Sequence, residues 1–168
     1  MATKTGNDIL SDELRAEREQ IVELLTQAYW MEMETVMNYV ANSVNPDGVR
    51  AQEIIESLNE DVDEELDHAR QFAQRIKDLY GTVPGSIAFG PAQAELQPPD
   101  STTDIVHVIR GVIAAESGAI QHYGRIIEVT DGVDPVTQDM VVTILHDEQG
   151  HRRLFEGFLK EYEAEGRA

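Results

Sequence analysis

The chain of 168 residues contains no cysteine. This absence excludes disulfides, thiolate-bound zinc and iron–sulfur clusters. Long apolar runs are also missing, and none approaches the ~20 residues that a membrane-spanning helix needs. The first residues of the chain are polar and do not resemble the apolar segment of a signal peptide. We therefore expect a cytoplasmic protein that does not contact a membrane.

Basic residues are scarce. The sequence has 13 Lys and Arg against 32 Asp and Glu, which gives a net charge of -19. Direct DNA binding is not expected, because proteins hold the phosphate backbone through Lys and Arg. A strongly acidic surface attracts cations and keeps a protein soluble in high salt. The composition fits a halophilic source and fits an ordinary acidic protein equally well.

Periodic apolar positions and turn signals divide the chain into four long helices. Asn45-Pro46-Asp47-Gly48 and the segment 131–135 are strong turn signals. Gly81 followed by Pro84 indicates the end of the second helix, and the run Asp100-Ser101-Thr102-Thr103 supplies N-cap residues for the third. The predicted helices cover residues 11–43, 49–80, 102–129 and 136–163.

The connection between the second and third helices, about residues 81–101, is long and contains four prolines. An extended chain covers up to ~3.3 Å per residue, and a helix of 30 residues is ~45 Å long. This connection can therefore run the length of the bundle, whereas the two short links predict antiparallel hairpins. The sequence predicts a single all-α domain over residues 1–168, an antiparallel four-helix bundle with one long crossover.

One pattern of polar residues occurs twice in the chain. Each copy has a lone Glu, a Tyr seven residues later and a Glu-x-x-His motif further along. The residues are Glu32, Tyr39, Glu65 and His68 in the first copy, and Glu116, Tyr123, Glu148 and His151 in the second.

Each of the four glutamates interrupts an apolar stripe at helical spacing. Glu116, for example, lies between Val112 and Ala119 on one helical face. An ionised carboxylate in the interior costs several kcal/mol unless it is paired or bound to metal. Two divalent cations would neutralise four carboxylates, and two neutral histidines would complete the set of ligands.

The spacing of Glu-x-x-His suits this role, because its two side chains lie one helical turn apart on the same side. The Glu can then bridge two cations while the His binds one. This arrangement on two helices, with a lone Glu on each of the other two, is typical of di-iron and di-manganese carboxylate bundles. Oxygen-rich ligands with one His per metal favour iron or manganese over zinc or copper.

The tyrosines of the repeat have two open interpretations. Tyr39 and Tyr123 either donate hydrogen bonds to the ligand carboxylates or serve as one-electron donors. Glu60 and Glu64, four residues apart, are open to interpretation as a cation site or as surface charge. The acids that lie off the ligand faces are expected to be solvated, and the other histidines to lie outside the site. These are Glu34, Asp63, Glu64, Asp67 and Asp147, with His107, His122 and His146.

The repeated motifs resemble those of the ferritin-like superfamily, in particular bacterioferritin and the Dps-like ferritins, over about residues 15–160. The resemblance implies that Glu65 and Glu148 bridge two iron ions. The terminal ligands would be Glu32 and His68 on one iron, and Glu116 and His151 on the other. These six residues would be both metal-binding and catalytic, with two irons per subunit and manganese as an alternative.

Two departures from the family bear on haem binding and on the size of the shell. Leu66 stands where bacterioferritin has its haem-binding Met, so no haem is expected. The short stretch after His151 leaves little room for the fifth helix of 24-subunit ferritins. The resemblance therefore favours a homo-oligomeric shell of 12 subunits over one of 24.

The resemblance implies a ferroxidase that oxidises Fe(II) with O2 or H2O2 and stores Fe(III) in the shell, with a role in oxidative stress. A second hypothesis is a di-iron or di-manganese peroxidase, catalase or oxygenase without iron storage. A third is a scaffold bundle without metal, which would need another explanation for the buried acids.

Overall fold

The computed structural model describes residues 8–166, so the polar first residues, including Lys4, lie outside the described part. Four long helices and no strands occur in the described residues. None of these helices is long and apolar enough to cross a membrane. The helices are α1 (Arg15–Val44), α2 (Gln52–Asp78), α3 (Ile105–Thr130) and α4 (Pro135–Ala164). The predicted all-α bundle is confirmed.

Capping residues explain where the helices begin. Helix α4 begins at Pro135, one residue before the predicted start, because Asp134 accepts a hydrogen bond from the backbone N–H of Thr137. Helix α3 begins three residues later than predicted, since Asp104 is the residue whose side chain accepts from the backbone N–H of His107. The preceding Asp, Ser and Thr residues are chemically similar caps, and the sequence pattern did not separate them.

The connection between α2 and α3 contains two short 3₁₀ turns, Ser86–Ala88 and Ala94–Leu96. Glu34 of α1 anchors it, because its carboxylate accepts hydrogen bonds from the backbone N–H groups of Ala92 and Gln93 at 2.9 Å. The expectation that Glu34 is solvated is wrong, since only 4% of the residue is exposed. Its partners are distant in sequence, so helical periodicity alone did not reveal them.

Helix α3 packs closely against the other side of the connection between α2 and α3. A Cβ atom at Gly111 of α3 would lie 2.5 Å from the carbonyl oxygen of Glu95. Asn42 of α1 also donates a hydrogen bond to the carbonyl oxygen of Leu96 at 2.8 Å. The connection is therefore held against both α1 and α3.

Two apolar clusters fill the bundle. One contains Leu25, Phe72 and Ile144, and the other contains Leu58 and Phe155. Along each of the four helices, the Glu and His residues of the repeated motif fall between the positions that join one cluster and those that join the other. The packing therefore places the motif residues in the middle of the bundle.

Candidate metal centre

The structure brings together the six residues of the two motifs, one from each of α1 and α3 and two from each of α2 and α4. All six are buried, and none is more than 9% exposed. Their ligand atoms form two groups in which the atoms lie within 4.8 Å of one another. The first group is Glu32, Glu65, His68 and Glu148, and the second is Glu65, Glu116, Glu148 and His151.

Glu65 and Glu148 belong to both groups, as the interpretation of bridging carboxylates requires. The Nδ1 atom of His68 lies 3.1 Å from Glu148 Oε1 and 3.5 Å from Glu65 Oε2. The Nδ1 atom of His151 lies 3.3 Å from Glu65 Oε1 and 3.7 Å from Glu148 Oε2. Each imidazole thus directs the same nitrogen towards the same two carboxylates.

The chemistry of the donor set fits a pair of cations. Both oxygens of Glu65, Oε1 of Glu148 and Nδ1 of both histidines are buried without a hydrogen-bond partner. Buried polar atoms normally find such a partner, and leaving one without it costs about 1–3 kcal/mol. Two divalent cations at this position would satisfy these atoms and neutralise the carboxylates.

The two tyrosines of the repeat each hold a glutamate from the opposite hairpin. The hydroxyl of Tyr39 on α1 donates to Glu116 on α3, and the hydroxyl of Tyr123 on α3 donates to Glu32 on α1. Both tyrosines are fully buried. The structure therefore agrees with the first of the two roles, hydrogen bonding to the carboxylates of the site.

The outer nitrogens of both histidines face further carboxylates. His151 Nε2 lies 3.2 Å from Glu64 Oε2, and His68 Nε2 lies 3.5 Å from Asp147 Oδ2. Both acids were expected to be solvated. Glu64 is exposed as expected and Asp147 is half-buried, but the carboxylates of both also reach the site. Each directly precedes the Glu of its own motif, and each contacts the histidine of the other motif. Such carboxylates fix the tautomer and orientation of a metal-binding imidazole.

Asp61 is a residue of the site that the sequence pattern did not reveal. It is 8% exposed, and its Oδ1 lies 3.7 Å from His151 Nε2. Burial raises the pKa of Asp61 to about 6. Asp61 precedes Glu65 by four residues and so shares its helical face, a signal that could have identified it.

Burial and charge divide the four glutamates into two kinds. Burial, together with the nearby carboxylates Glu65 and Glu148, raises the pKa of Glu32 and of Glu116 well above the usual range. Burial acts in the same direction on Glu65 and Glu148, but His151 and His68 outweigh it and lower the pKa of both.

The histidines show the complementary shift. Burial lowers the pKa of each imidazole, but the carboxylates of Glu148 and Glu65 outweigh it. The pKa rises to about 10 for His68 and to about 12 for His151. Without metal, these shifts favour protonated imidazoles at His68 and His151, ionised Glu65 and Glu148, and neutral carboxyl groups at Glu32 and Glu116.

The other histidines lie outside the two ligand groups, as expected. His122 Nε2 lies 2.8 Å from the carbonyl oxygen of Leu24, and His107 Nε2 lies 3.0 Å from that of Gln97. His146 is exposed on α4. Asp63 and Asp67 are exposed on α2, in agreement with the expectation that they are solvated.

The family model of the ferritin-like domain matches residues 22–164. The "DNA protection during starvation protein" of Pyrococcus furiosus is 29% identical over 162 residues, which cover 95% of this chain and 82% of that protein.

Solved structures share the fold. A ferritin-like diiron-carboxylate protein from Bacillus anthracis superposes with a TM-score of 0.76 at 17% identity, covering 85% of this chain and 97% of the other. A dodecameric thioferritin from Bacteroides fragilis, described as bacterioferritin-related, gives a TM-score of 0.76 at 20% identity, with 89% of each chain covered.

Proposed function

Because the chain belongs to the ferritin-like family, we propose that it is an iron-storing ferroxidase, which oxidises Fe(II) at the central site and keeps Fe(III) inside a homo-oligomeric shell. Family membership supports iron storage and ferroxidase activity in general terms. The observation that carries the proposal is the convergence of buried oxygen and nitrogen atoms of Glu65, Glu148, His68 and His151 that face one another without a hydrogen-bond partner.

In this proposal Glu65 and Glu148 bridge two iron ions, since each belongs to both groups of ligand atoms. The terminal ligands are Glu32 and His68 on one iron, and Glu116 and His151 on the other. Manganese suits the same oxygen-rich set. The bound Fe(II) supplies the electrons, and O2 or H2O2 accepts them.

The protein residues hold the ligands and exchange protons. Glu64 and Asp147 orient the two imidazoles so that Nδ1 points into the site. Tyr39 and Tyr123 fix the terminal carboxylates by donating hydrogen bonds to them. When cations bind, the two imidazoles and any protonated terminal carboxyl group lose their protons, because a metal binds neutral imidazole and ionised carboxylate.

We assign the chain, as a single domain, to a shell of 12 subunits in preference to one of 24. The likeness to a thioferritin described as dodecameric supports this choice. Leu66 lacks a sulfur atom to bind haem iron, so the shell is haem-free.

One relative is named for DNA protection. A net charge of -19 opposes contact with phosphate backbones. Any protection of DNA by this protein would therefore come from removing Fe(II) and the oxidant in the cytoplasm under oxidative stress.

The test combines particle size with iron loading. We expect light scattering to show a closed shell of about 12 chains, which takes up many more than two irons per chain in air. Glu65→Gln should abolish rapid Fe(II) oxidation, and the matched control Asp67→Asn, an exposed acid on the same helix, should not. A monomer or dimer that stops at two metals per chain would refute storage and favour a di-iron enzyme.

A further inference from the structure

A groove between α1 and α3 lies on the outside of the bundle at the level of the metal centre. It has a volume of about 280 Å³, and its walls include Met31 of α1 together with Ala115 and Gly118 of α3. We call it the α1–α3 groove. Met31 and Ala115 directly precede the candidate ligands Glu32 and Glu116 in the sequence. The groove is therefore the part of the outer surface next to the two terminal carboxylates.

Small or adaptable side chains separate the groove from these carboxylates. Ala115 and Ala119 occupy the sector of α3 between the groove and Glu116, and each carries a single methyl group. On α1, the wall is Met31, whose unbranched side chain adapts its shape more readily than other apolar residues do. Rotamer changes of such side chains take place within nanoseconds where they reach the surface. A small neutral molecule can pass them without disturbing the helices.

A glycine without a packing reason deepens the groove. Glycine weakens the interior of a helix relative to alanine, so its presence in the middle of α3 calls for a cause. Gly111 has one, because a Cβ atom there would lie 2.5 Å from the carbonyl oxygen of Glu95. At Gly118 a Cβ atom would meet only Met31 Cε, at an ordinary contact distance of 3.9 Å. The fold does not require glycine at this position, and the missing side chain leaves the space to the groove.

The polar groups in the walls are already bonded within the protein. The carboxylate of Glu34 accepts from the backbone N–H groups of Ala92 and Gln93. The side-chain amide of Gln93 donates to the carbonyl oxygen of Met31 and to Thr35 Oγ1. Mostly apolar surface is left to line the groove. A polar molecule that enters it gives up hydrogen bonds to water, which costs free energy, whereas a neutral apolar molecule has none to lose.

The opposite side of the metal centre, between α2 and α4, is charged instead. Glu64 is exposed and Asp147 is half-buried there, and each faces the outer nitrogen of a histidine. Carboxylates attract cations, and they offer nothing to a neutral apolar molecule. The metal centre therefore has one charged approach and one apolar approach, on opposite sides of the bundle.

From this arrangement we infer that O2 reaches the metal centre through the α1–α3 groove, and that Gly118 keeps this route open. O2 is small, neutral and apolar, as the lining requires. H2O2 forms strong hydrogen bonds with water, so the groove selects against it. The inference rests on the proposed function and specifies the oxidant that this approach serves.

Xenon, an apolar gas that occupies apolar cavities, tests the groove without iron. Crystals of the wild-type protein under xenon pressure should hold xenon beside Gly118. Gly118→Leu fills the groove and should remove it. Gly124→Leu is the matched control, because Gly124 also lies within α3 and a Cβ atom there would meet nothing within 4 Å. An empty groove in the wild type, or xenon retained in Gly118→Leu, would overturn the proposal.

Stopped-flow kinetics at several O2 concentrations test the route itself. Gly118→Leu should lower the second-order rate constant for O2 by about tenfold, as expected when added methyl groups obstruct a fitted space. Gly124→Leu should react like the wild type. With H2O2 as the oxidant the two variants should react alike, and both should bind Co(II) as the wild type does. Equal rates with O2 in the two variants, or the same loss with H2O2 as with O2, would contradict the proposal.

Gly118→Ala keeps the test decisive if the leucine variant does not fold. Its added methyl group fits beside Met31 and should produce a smaller loss of the same kind with O2. If xenon binds in the groove as expected but the protein oxidises no Fe(II), the failure lies with the proposed function. If Fe(II) is oxidised but Gly118→Leu and Gly124→Leu react alike with O2, the function stands and the route through the groove fails.

Discussion

The hydroxyl of Tyr39 on α1 donates a hydrogen bond to the carboxylate of Glu116 on α3, across the centre of the bundle. Tyr39→Phe leaves that carboxylate without this donor in a fully buried place. We expect the affinity for Co(II), used as a redox-stable probe, to fall by about tenfold to a hundredfold. Titration by calorimetry measures the change in affinity. Tyr29→Phe, also on α1 but outside the ligand groups, is the control.

This experiment also separates the two roles considered for the tyrosine. Loss of a hydrogen bond weakens the binding of any divalent cation. Loss of a one-electron donor alone would leave Co(II) affinity unchanged and alter the course of Fe(II) oxidation. Unchanged Co(II) binding in Tyr39→Phe would therefore contradict the hydrogen-bonding role.

In the metal-free protein, Glu32→Gln should lower the free energy of unfolding less than Glu65→Gln does. Burial and the nearby carboxylates raise the pKa of Glu32 well above its usual value, which favours the neutral carboxyl group before metal binds. Glu32→Gln puts a neutral amide of the same shape in its place and should therefore cost about 1 kcal/mol or less in the free energy of unfolding. Glu65→Gln removes a carboxylate that faces both His68 and His151, and should cost several times more.

Urea unfolding in the presence of a chelator measures these two changes. Both variants should also lose rapid Fe(II) oxidation, because both remove a metal ligand. Equal stability of the two variants would show that Glu32 is ionised in the metal-free protein.

Metal binding should strengthen as the pH rises. The carboxylates that face His68 and His151 raise the pKa of these imidazoles to about 10 and about 12, so both are protonated at pH 7. Each must lose its proton to bind a cation, and the raised pKa of Glu32 and of Glu116 adds up to two further protons. Binding of two cations should therefore release about two to four protons. Calorimetry in buffers with different heats of ionisation counts them, and zero release would refute the assignment.

Without metal, the stability of the fold should fall as the pH rises, whereas metal binding strengthens. The pKa of both histidines is higher in the folded protein than the ordinary value of 6.5. Their contribution to the free energy of unfolding is complete below pH 6.5. It is lost as the pH rises through about 10, the value for His68. Chelator-treated protein should thus be less stable at pH 9 than at pH 6, and His68→Asn should reduce the difference.

The hydrogen bonds between Glu34 and the crossover should stabilise the fold independently of the metal centre. Glu34→Gln replaces one acceptor oxygen by an N–H donor that faces the backbone N–H groups of Ala92 and Gln93. We expect a loss of about 1–3 kcal/mol in the free energy of unfolding, with Fe(II) oxidation retained. Exposed Glu95→Gln is the control, and equal stability of the two variants would contradict the anchor.

The sequence predicted the helices and the convergence of the six motif residues for identifiable reasons. Apolar periodicity defines which face of each helix is buried, and a Glu within such a stripe must lie inside. The repeat made the pattern specific, because two copies place equivalent residues at equivalent depths. The use of the site for iron oxidation and storage remains a proposal.

The features that sequence reasoning missed are contacts between distant parts of the chain. Glu34 is buried by the crossover, and its partners are backbone groups that carry no side-chain signature. Glu64 and Asp147 lie beside the core face of their own helices, and each reaches a histidine of the other hairpin. Helical periodicity describes one helix at a time and does not contain this information.

Each contact that supports a ligand from outside comes from the opposite hairpin. Tyr39 and Glu64, on α1 and α2, hold Glu116 and His151 of α3 and α4. Tyr123 and Asp147 hold Glu32 and His68 in return. Neither hairpin can therefore complete a metal centre with its own residues.

In evolutionary terms, these are the contacts that a single hairpin would make with an identical copy of itself. The crossover joins two such halves into one chain, and each half is then free to change independently. The divergence is visible at one pair of equivalent positions. Four residues before the motif Glu, α2 has Asp61 beside His151, whereas α4 has buried Ile144.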